Sequence, residues 1–142
     1  MMHIPDESYR EILSSLPILC VDIVIKDQNG HFLLVKRDRH PLKGQWWVPG
    51  GRVLKGESIS QAALRKIQEE LGVEAKVSHS IGYYEGQFDE NEWGIPSGIH
   101  TVSIVVLASL LSDKIQLDYQ SSAWKFSPEL PSSFKIIEYQ GN

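Results

Sequence analysis

The stretch Gly50-Gly-Arg-Val-Leu-Lys-Gly-Glu57 runs directly into Ser58-Ile-Ser-Gln-Ala-Ala-Leu-Arg-Lys-Ile-Gln-Glu-Glu-Leu71 and stops at Gly72. Ser58 and Gln61 stand in capping-box spacing, where each side chain satisfies the other's backbone N–H, and Gly72 is the residue type that ends a helix in the left-handed region. The spacing predicts a helix from Ser58 to Leu71. At about 100° per residue, Arg65, Lys66, Glu69 and Glu70 share one sector, while Ala63, Leu64, Ile67 and Leu71 share the opposite one. By itself a charged sector is what any solvated amphipathic helix shows, with Arg65 and Glu69 forming an i,i+4 pair. The segment in front changes its meaning. Paired glycines let a backbone come close to something, and a loop curling back over the helix aims carbonyls and Glu57 at a cation. Mg²⁺ takes about six oxygens, usually from one or two carboxylates, water and substrate phosphate. Glu69 and Glu70 supply the protein's share, and Arg37, Arg52 and Arg65 suit the oxygens of a diphosphate.

Outward from this centre, the residues from Pro5 through Glu7, Tyr9, Ile12 and Leu13 have the charged start and apolar spacing of a short leading helix. Ile18 to Lys26 is β-branched and apolar with one intruding carboxylate, Asp22. Asp27-Gln-Asn-Gly30 supplies turn chemistry, which predicts a hairpin whose second strand is Phe32 to Arg37. Trp46 to Val53 reads as a short strand ending in the paired glycines. Strands are expected at about 75 to 84 and 101 to 111, separated by the polar loop Gln87 to His100, a candidate substrate wall containing Trp93 and Pro96. Trp93 is the candidate for stacking on a base, whereas of the adjacent Trp46 and Trp47 one should point into the core. Trp124 to Phe126 reads as a last short strand, followed by a weak helical stretch through Ile136 and Ile137. This order predicts an α+β chain in which a mixed sheet is sandwiched between helices, an α/β/α arrangement.

The chain has 142 residues, 42% apolar and 23% charged, and a formal net charge of −4. That length fits one domain, and that composition is globular rather than disordered. The acidic balance argues against broad electrostatic binding to nucleic acid. Cys20 is the single cysteine; in an apolar run it reads as a buried structural thiol. No apolar stretch approaches the ~20 residues needed to span a bilayer, and the first residues lack the regions of a signal peptide, so a cytoplasmic location is expected.

Gly51 to Glu57, then seven residues, then Arg65 to Val73 resembles the Nudix box, G-x5-E-x7-R-E-U-x-E-E-x-G-U with U a bulky apolar residue. Every specified position matches except that Lys66 stands for the glutamate after the arginine. The resemblance implies the Nudix fold and Mg²⁺-dependent hydrolysis, with Mn²⁺ as an alternative ion. Within the family, Ser15 to Pro17, Asp22, Phe32 to Arg37 and Trp47 to Val53 resemble passages of GDP-mannose mannosyl hydrolases, which also lack that glutamate. Those enzymes attack the sugar's anomeric carbon and release a nucleoside diphosphate. By that resemblance the main-chain oxygen of Gly50 and the carboxylate of Glu70 bind the metal with Gln120 as a third ligand, and Glu69 and Glu57 support loop and helix. Arg37, Arg52 and Arg65 address the diphosphate or hold the site together, Asp22 faces the sugar, Tyr9 contacts the base, and pairing into a homodimer runs through the leading segments. The resembled enzymes place a general-base histidine after the glutamine ligand, where this chain has Ser121. A serine hydroxyl does not serve as that base near neutral pH, which makes His100 the candidate substitute. Three functions stay open: hydrolysis of a nucleotide sugar such as GDP-mannose or GDP-glucose, pyrophosphohydrolysis at phosphorus, and nucleotide binding with little catalysis.

Overall fold

The computed structural model describes residues 3–140. Helix α1 (Asp6–Ser15) is followed by strands β1 (Ile18–Ile25), β2 (Phe32–Arg37), β3 (Trp46–Trp47) and β4 (Gly50–Arg52). Helix α2 (Ile59–Leu71) separates these from β5 (Ala75–Phe88), β6 (Ile99–Leu110), β7 (Ser121–Ser127) and β8 (Ile137–Glu138). The strands form a five-stranded sheet, β4-β1-β6-β5-β8, and a three-stranded sheet, β3-β2-β7. β1 runs parallel to β6 and antiparallel to β4, so the larger sheet is mixed and the chain is α+β.

Val21 through Ile25 are all buried, because β1 is paired on both edges and covered on both faces. The hairpin expected between β1 and β2 is therefore corrected. Its turn forms, with Asp27 Oδ1 accepting the backbone N–H groups of Asn29 at 2.8 Å and His31 at 2.9 Å. Pairing then ends after one bridge, Lys26 to Phe32. With both edges of β1 occupied, β2 pairs with β3 and β7 instead. The single strand expected from Trp46 to Val53 also divides, at Val48-Pro49, since proline has no N–H to give a ladder. Trp46–Trp47 stays beside β2, and Gly50–Arg52 crosses to β1.

α2 forms as the sequence predicts, with both capping-box bonds between Ser58 and Gln61, at 2.9 and 3.1 Å. It lays Ala62, Ala63, Ile67 and Leu71 against Val21, Ile23 and Ile25 of β1 and Leu33 and Val35 of β2. A second core holds Val24, Leu34, Trp47, Val105 and Phe134. Trp47 is buried, while Trp46 lies under the Lys125 ammonium at 4.3 Å, the in-and-out alternation of a strand.

The helix expected through Ile136 and Ile137 does not form. Pro128, Pro131 and the serines Ser132 and Ser133 favour turns, and Phe134 N–H closes one on Pro131 O at 3.0 Å. Phe134 then drops between Trp47, at 5.1 Å, and Tyr84, at 5.2 Å, and β8 pairs with β5 at Gly82 and Tyr83. Phe134 and β8 cover the part of the sheet near Trp47, and the expected mixed sheet flanked by helices is borne out, with α2 against β1 and α1 against β6. Leu13 of α1 meets Ile95 and Ile99. No described helix is long and apolar enough to cross a membrane.

Gly72 caps α2 at φ 67°, ψ 21°, a conformation that costs an L-residue about 1–2 kcal/mol. Gly72→Ala should lower the unfolding free energy by that amount in urea titrations with an unchanged slope; an unaffected midpoint would contradict the cap.

Candidate active site

Strand β4 turns the glycine pair into a position. Its register sets Gly50 opposite Asp22 and Gly51 opposite Val21. A Cβ on Gly50 would collide with Val21 O and lie 2.7 Å from Asp22 Oδ1, and one on Gly51 would lie 2.7 Å from Lys66 Cε. With no side chain between them, the carboxylate of β1, the backbone of β4 and the charged flank of α2 come into contact. Gly50 N–H donates to Glu70 Oε2 at 3.0 Å. The same packing revises the helical wheel, because Lys66 and Glu70 are only 7% and 1% exposed while Leu64 is 39% exposed. The bare backbone of β4 covers the charged flank and leaves Leu64 to solvent.

The loop ahead of α2 is held by Arg65. Its Nε donates to Glu57 Oε2 at 2.7 Å, its Nη2 to Glu57 Oε1 at 2.9 Å and Arg52 O at 3.0 Å, and its Nη1 to the Glu69 carboxylate at 3.3 Å. Glu57 also accepts from Leu54 N–H at 2.9 Å. The hydrogen bond from Arg65 holds the Glu57 carboxyl below its ordinary value, and Glu57 in turn raises the Arg65 guanidinium. Arg65 thus spends its donors within the protein, a positioning arrangement.

These elements border an open cavity of about 710 Å³, and Tyr9, Asp22, Arg37, Gly50, Arg52, Arg65, Glu69, Trp93 and Gln120 all line it. Glu70 stands behind Gly50. His100 does not join them. Side chains alternate along β6, so Ile99, Thr101 and Ser103 face the cavity while His100 turns into a separate recess beside Leu16 and Gln87. Its placement gives no support to the expectation of a base there. Ser121 is buried opposite Arg37 in the β2–β7 ladder. Cys20, expected to be fully buried, is partly exposed and borders the cavity; burial, reinforced by Asp22, pushes its thiol up to about 12, so it is protonated at neutral pH.

One end of the cavity is aromatic. Tyr9 meets Trp93 edge-on at 4.9 Å, and the Arg52 guanidinium lies 4.5 Å over the Tyr9 ring. Asn91 fixes the loop that carries Trp93, its Oδ1 accepting the N–H groups of Trp93 and Ile95 at 3.1 and 2.9 Å. The other end is ionic. Burial lifts the Asp22 carboxyl to about 7, against the Ser103 hydroxyl and the Arg37 guanidinium beside it. Burial also lifts Glu70 to about 7, opposed by Lys66, the Gly50 N–H and Arg37 and reinforced by Asp118. Burial pulls the Arg37 guanidinium below its ordinary value, with Glu70 and Asp22 opposing.

Two residues of this end escaped the sequence reading as site residues. Lys66 was visible only as a departure from a motif. Asp118 had no local signal, since it lies in an irregular segment; its carboxylate accepts Gln120 N–H at 3.0 Å and Gln120 Nε2 at 3.1 Å, leaving Gln120 Oε1 free to ligate.

The donor set fits a hard divalent cation. Glu69, Glu70, the Gly50 carbonyl and Gln120 Oε1 offer oxygen only, the preference of Mg²⁺. Among the described residues no three His, Cys, Asp or Glu side chains form a closed cage, and Mg²⁺ characteristically takes one or two carboxylates and completes its shell with water and substrate phosphate. Glu70 itself is the more telling group: a carboxylate 1% exposed with one hydrogen bond, on Oε2, gains its charged form when a cation joins it.

The NUDIX domain model matches residues 16–132. The chain is 33% identical over 136 residues to Low-salt glycan biosynthesis protein Agl8 of Haloferax volcanii, spanning 95% of this chain and 86% of that one. It is 34% identical over 100 residues to the ADP-ribose pyrophosphatase of Methanocaldococcus jannaschii, 70% of this chain but 55% of that one. Its fold is similar to a MutT NUDIX hydrolase from Burkholderia pseudomallei, with TM-score 0.70 and 26% identity over 85% of this chain and 92% of that one. The glycine strand pressed on an acidic helix is thus the structural form of the family's box, and the chain belongs to the Nudix hydrolases.

Proposed function

We propose that the chain hydrolyses a nucleoside diphosphate sugar, with Mg²⁺ or Mn²⁺, to nucleoside diphosphate and free sugar. The observation that carries this reading is that one cavity joins three chemistries. Oxygen donors and Arg37 suit a diphosphate, the buried Asp22 carboxylate among Ser103, Tyr84 and Thr101 suits sugar hydroxyls, and Tyr9 with Trp93 and Arg52 suits a nucleobase. A relative named for glycan biosynthesis supports the sugar.

In this reading Glu69, Glu70, the Gly50 carbonyl and Gln120 hold the cation, which stabilises the departing diphosphate. Arg37 neutralises the phosphate oxygens beside it. Asp22 accepts hydrogen bonds from the sugar and faces the positive charge that develops at the anomeric carbon. Water adds to that carbon as its bond to the bridging phosphate oxygen breaks, and the bonding pair leaves on the phosphate. Ser121 does not take the water's proton, which passes to solvent, so turnover should fall about 10²- to 10⁴-fold below that of an enzyme with a general base. A second reading, attack at phosphorus, is favoured by the retained Glu69-Glu70 pair and by Ser121, and accords with the likeness to an ADP-ribose pyrophosphatase.

Incubation with Mg²⁺ and GDP-mannose in ¹⁸O-water separates the two: label in free mannose is expected, and label in phosphate would establish the second reading instead. Glu70→Gln should abolish metal-dependent turnover and also the thermal stabilisation by Mg²⁺, which for an ion at 100 times its Kd is about 2.7 kcal/mol in the parent protein. A variant still stabilised by Mg²⁺ would remove Glu70 from the metal site. Base stacking on an aromatic side chain is worth about 1–3 kcal/mol, so Trp93→Ala should raise KM about tenfold or more with kcat little changed; steady-state kinetics showing an unaltered KM would place the base elsewhere.

A further inference from the structure

Lys66 stands where the box specifies a carboxylate, and its surroundings show what the exchange does. The side chain crosses Gly51 so closely that a Cβ there would lie 2.7 Å from its Cε and 3.2 Å from its Nζ. Its Nζ reaches the Glu69 carboxylate at 3.3 Å, its residue is 7% exposed, and it still borders the cavity. It is the largest of the influences that favour the charged form of the buried Glu70. Arg65 has its donors committed to Glu57, Glu69 and Arg52 O, and Arg52 lies on the Tyr9 ring. Lys66, with one long ion pair and two further donors, is the cation on the acidic flank of α2 itself with capacity to spare, across from Arg37 of β2, whose Nε is held by Pro41 O at 2.7 Å.

A carboxylate at this position would complete a cluster of three with Glu69 and Glu70. Lys66 in its place changes the local charge by two units, the charge of one divalent cation. We propose that Lys66 restricts the site to a single divalent cation and donates its ammonium to the substrate's diphosphate in place of a second ion. The proposal rests on the metal assignment above and is independent of which bond is broken.

The test is a Mn²⁺ titration of the full chain without substrate, read by electron paramagnetic resonance, together with nucleoside diphosphate binding in the presence of Mn²⁺. The parent protein should bind one Mn²⁺ and Lys66→Glu two. Lys66→Met, which keeps the packing over Gly51, should still bind one but hold GDP about tenfold more weakly, the loss expected for one charge-assisted hydrogen bond. Two ions in the parent, a single ion in Lys66→Glu, or unaltered GDP affinity in a folded Lys66→Met would each overturn the proposal. If the counts hold while GDP-mannose is not turned over, the substrate assignment fails and Lys66 keeps its role. No Mn²⁺ bound by the parent would overturn both the metal assignment and this inference.

Discussion

Gly50 is pressed so closely into its surroundings that its N–H meets Glu70 on one side while its Cα faces Asp22 on the other. Ordinary strand pairing supplies the contact with β1. What is unusual is that the opposite face of β4 lies on the charged flank of a helix, which burial would normally penalise. The penalty is met locally: Arg65 ties Glu57 and Glu69, Lys66 lies against Gly51, and the Gly50 N–H serves Glu70. A larger residue at Gly51 would press on Lys66 of α2, and one at Gly50 would press on Val21 O and Asp22 of β1, so either would disturb the contact between these elements.

Asp22 and Glu70 are both buried, both lifted to about 7, and both neighbours of Arg37. Desolvation outweighs the cations that face them, Arg37 for both and Lys66 for Glu70, so neither carboxylate carries its charge easily. A cation bound beside them would favour their charged forms, and the oxygen-only candidate donors would suit a hard one. Metal binding at this candidate site would therefore draw on desolvation as much as on the charges along the helix.

The sequence made the central helix legible to the residue, since capping chemistry and the αL glycine act locally. It also showed which residues carry charge. It misplaced how that charge is presented, because a helical wheel assumes solvent on the polar side and cannot know that a side-chain-free strand lies there. The β1–β2 hairpin was misjudged for a related reason: turn residues specify the turn, but which strand occupies an edge depends on β4 and β6, distant in sequence. The C-terminal stretch had the spacing of a weak helix, yet Pro131 and the place for Phe134 between Trp47 and Tyr84 decided otherwise. His100 was assigned by its nearness to a polar loop, and the alternation along β6 turned it away from the cavity.

Arg52 joins the two ends of the cavity mechanically. Its carbonyl is held by Arg65, the residue that fixes the loop over α2, and its guanidinium rests on Tyr9, which in turn abuts Trp93. Tyr9 sits on α1 and Trp93 on the loop between β5 and β6, so the aromatic end is assembled from segments far apart in the chain, and Arg52 connects it to the ionic end through β4. Because the backbone of β4 is fixed at Gly50 by β1 and by Glu70, a displacement at the aromatic end reaches the candidate metal ligands over the two residues from Arg52 to Gly50. A ligand that filled the space around Tyr9 would thereby bear on the same strand that presents the Gly50 carbonyl, so the aromatic and ionic ends of the cavity share one segment of backbone.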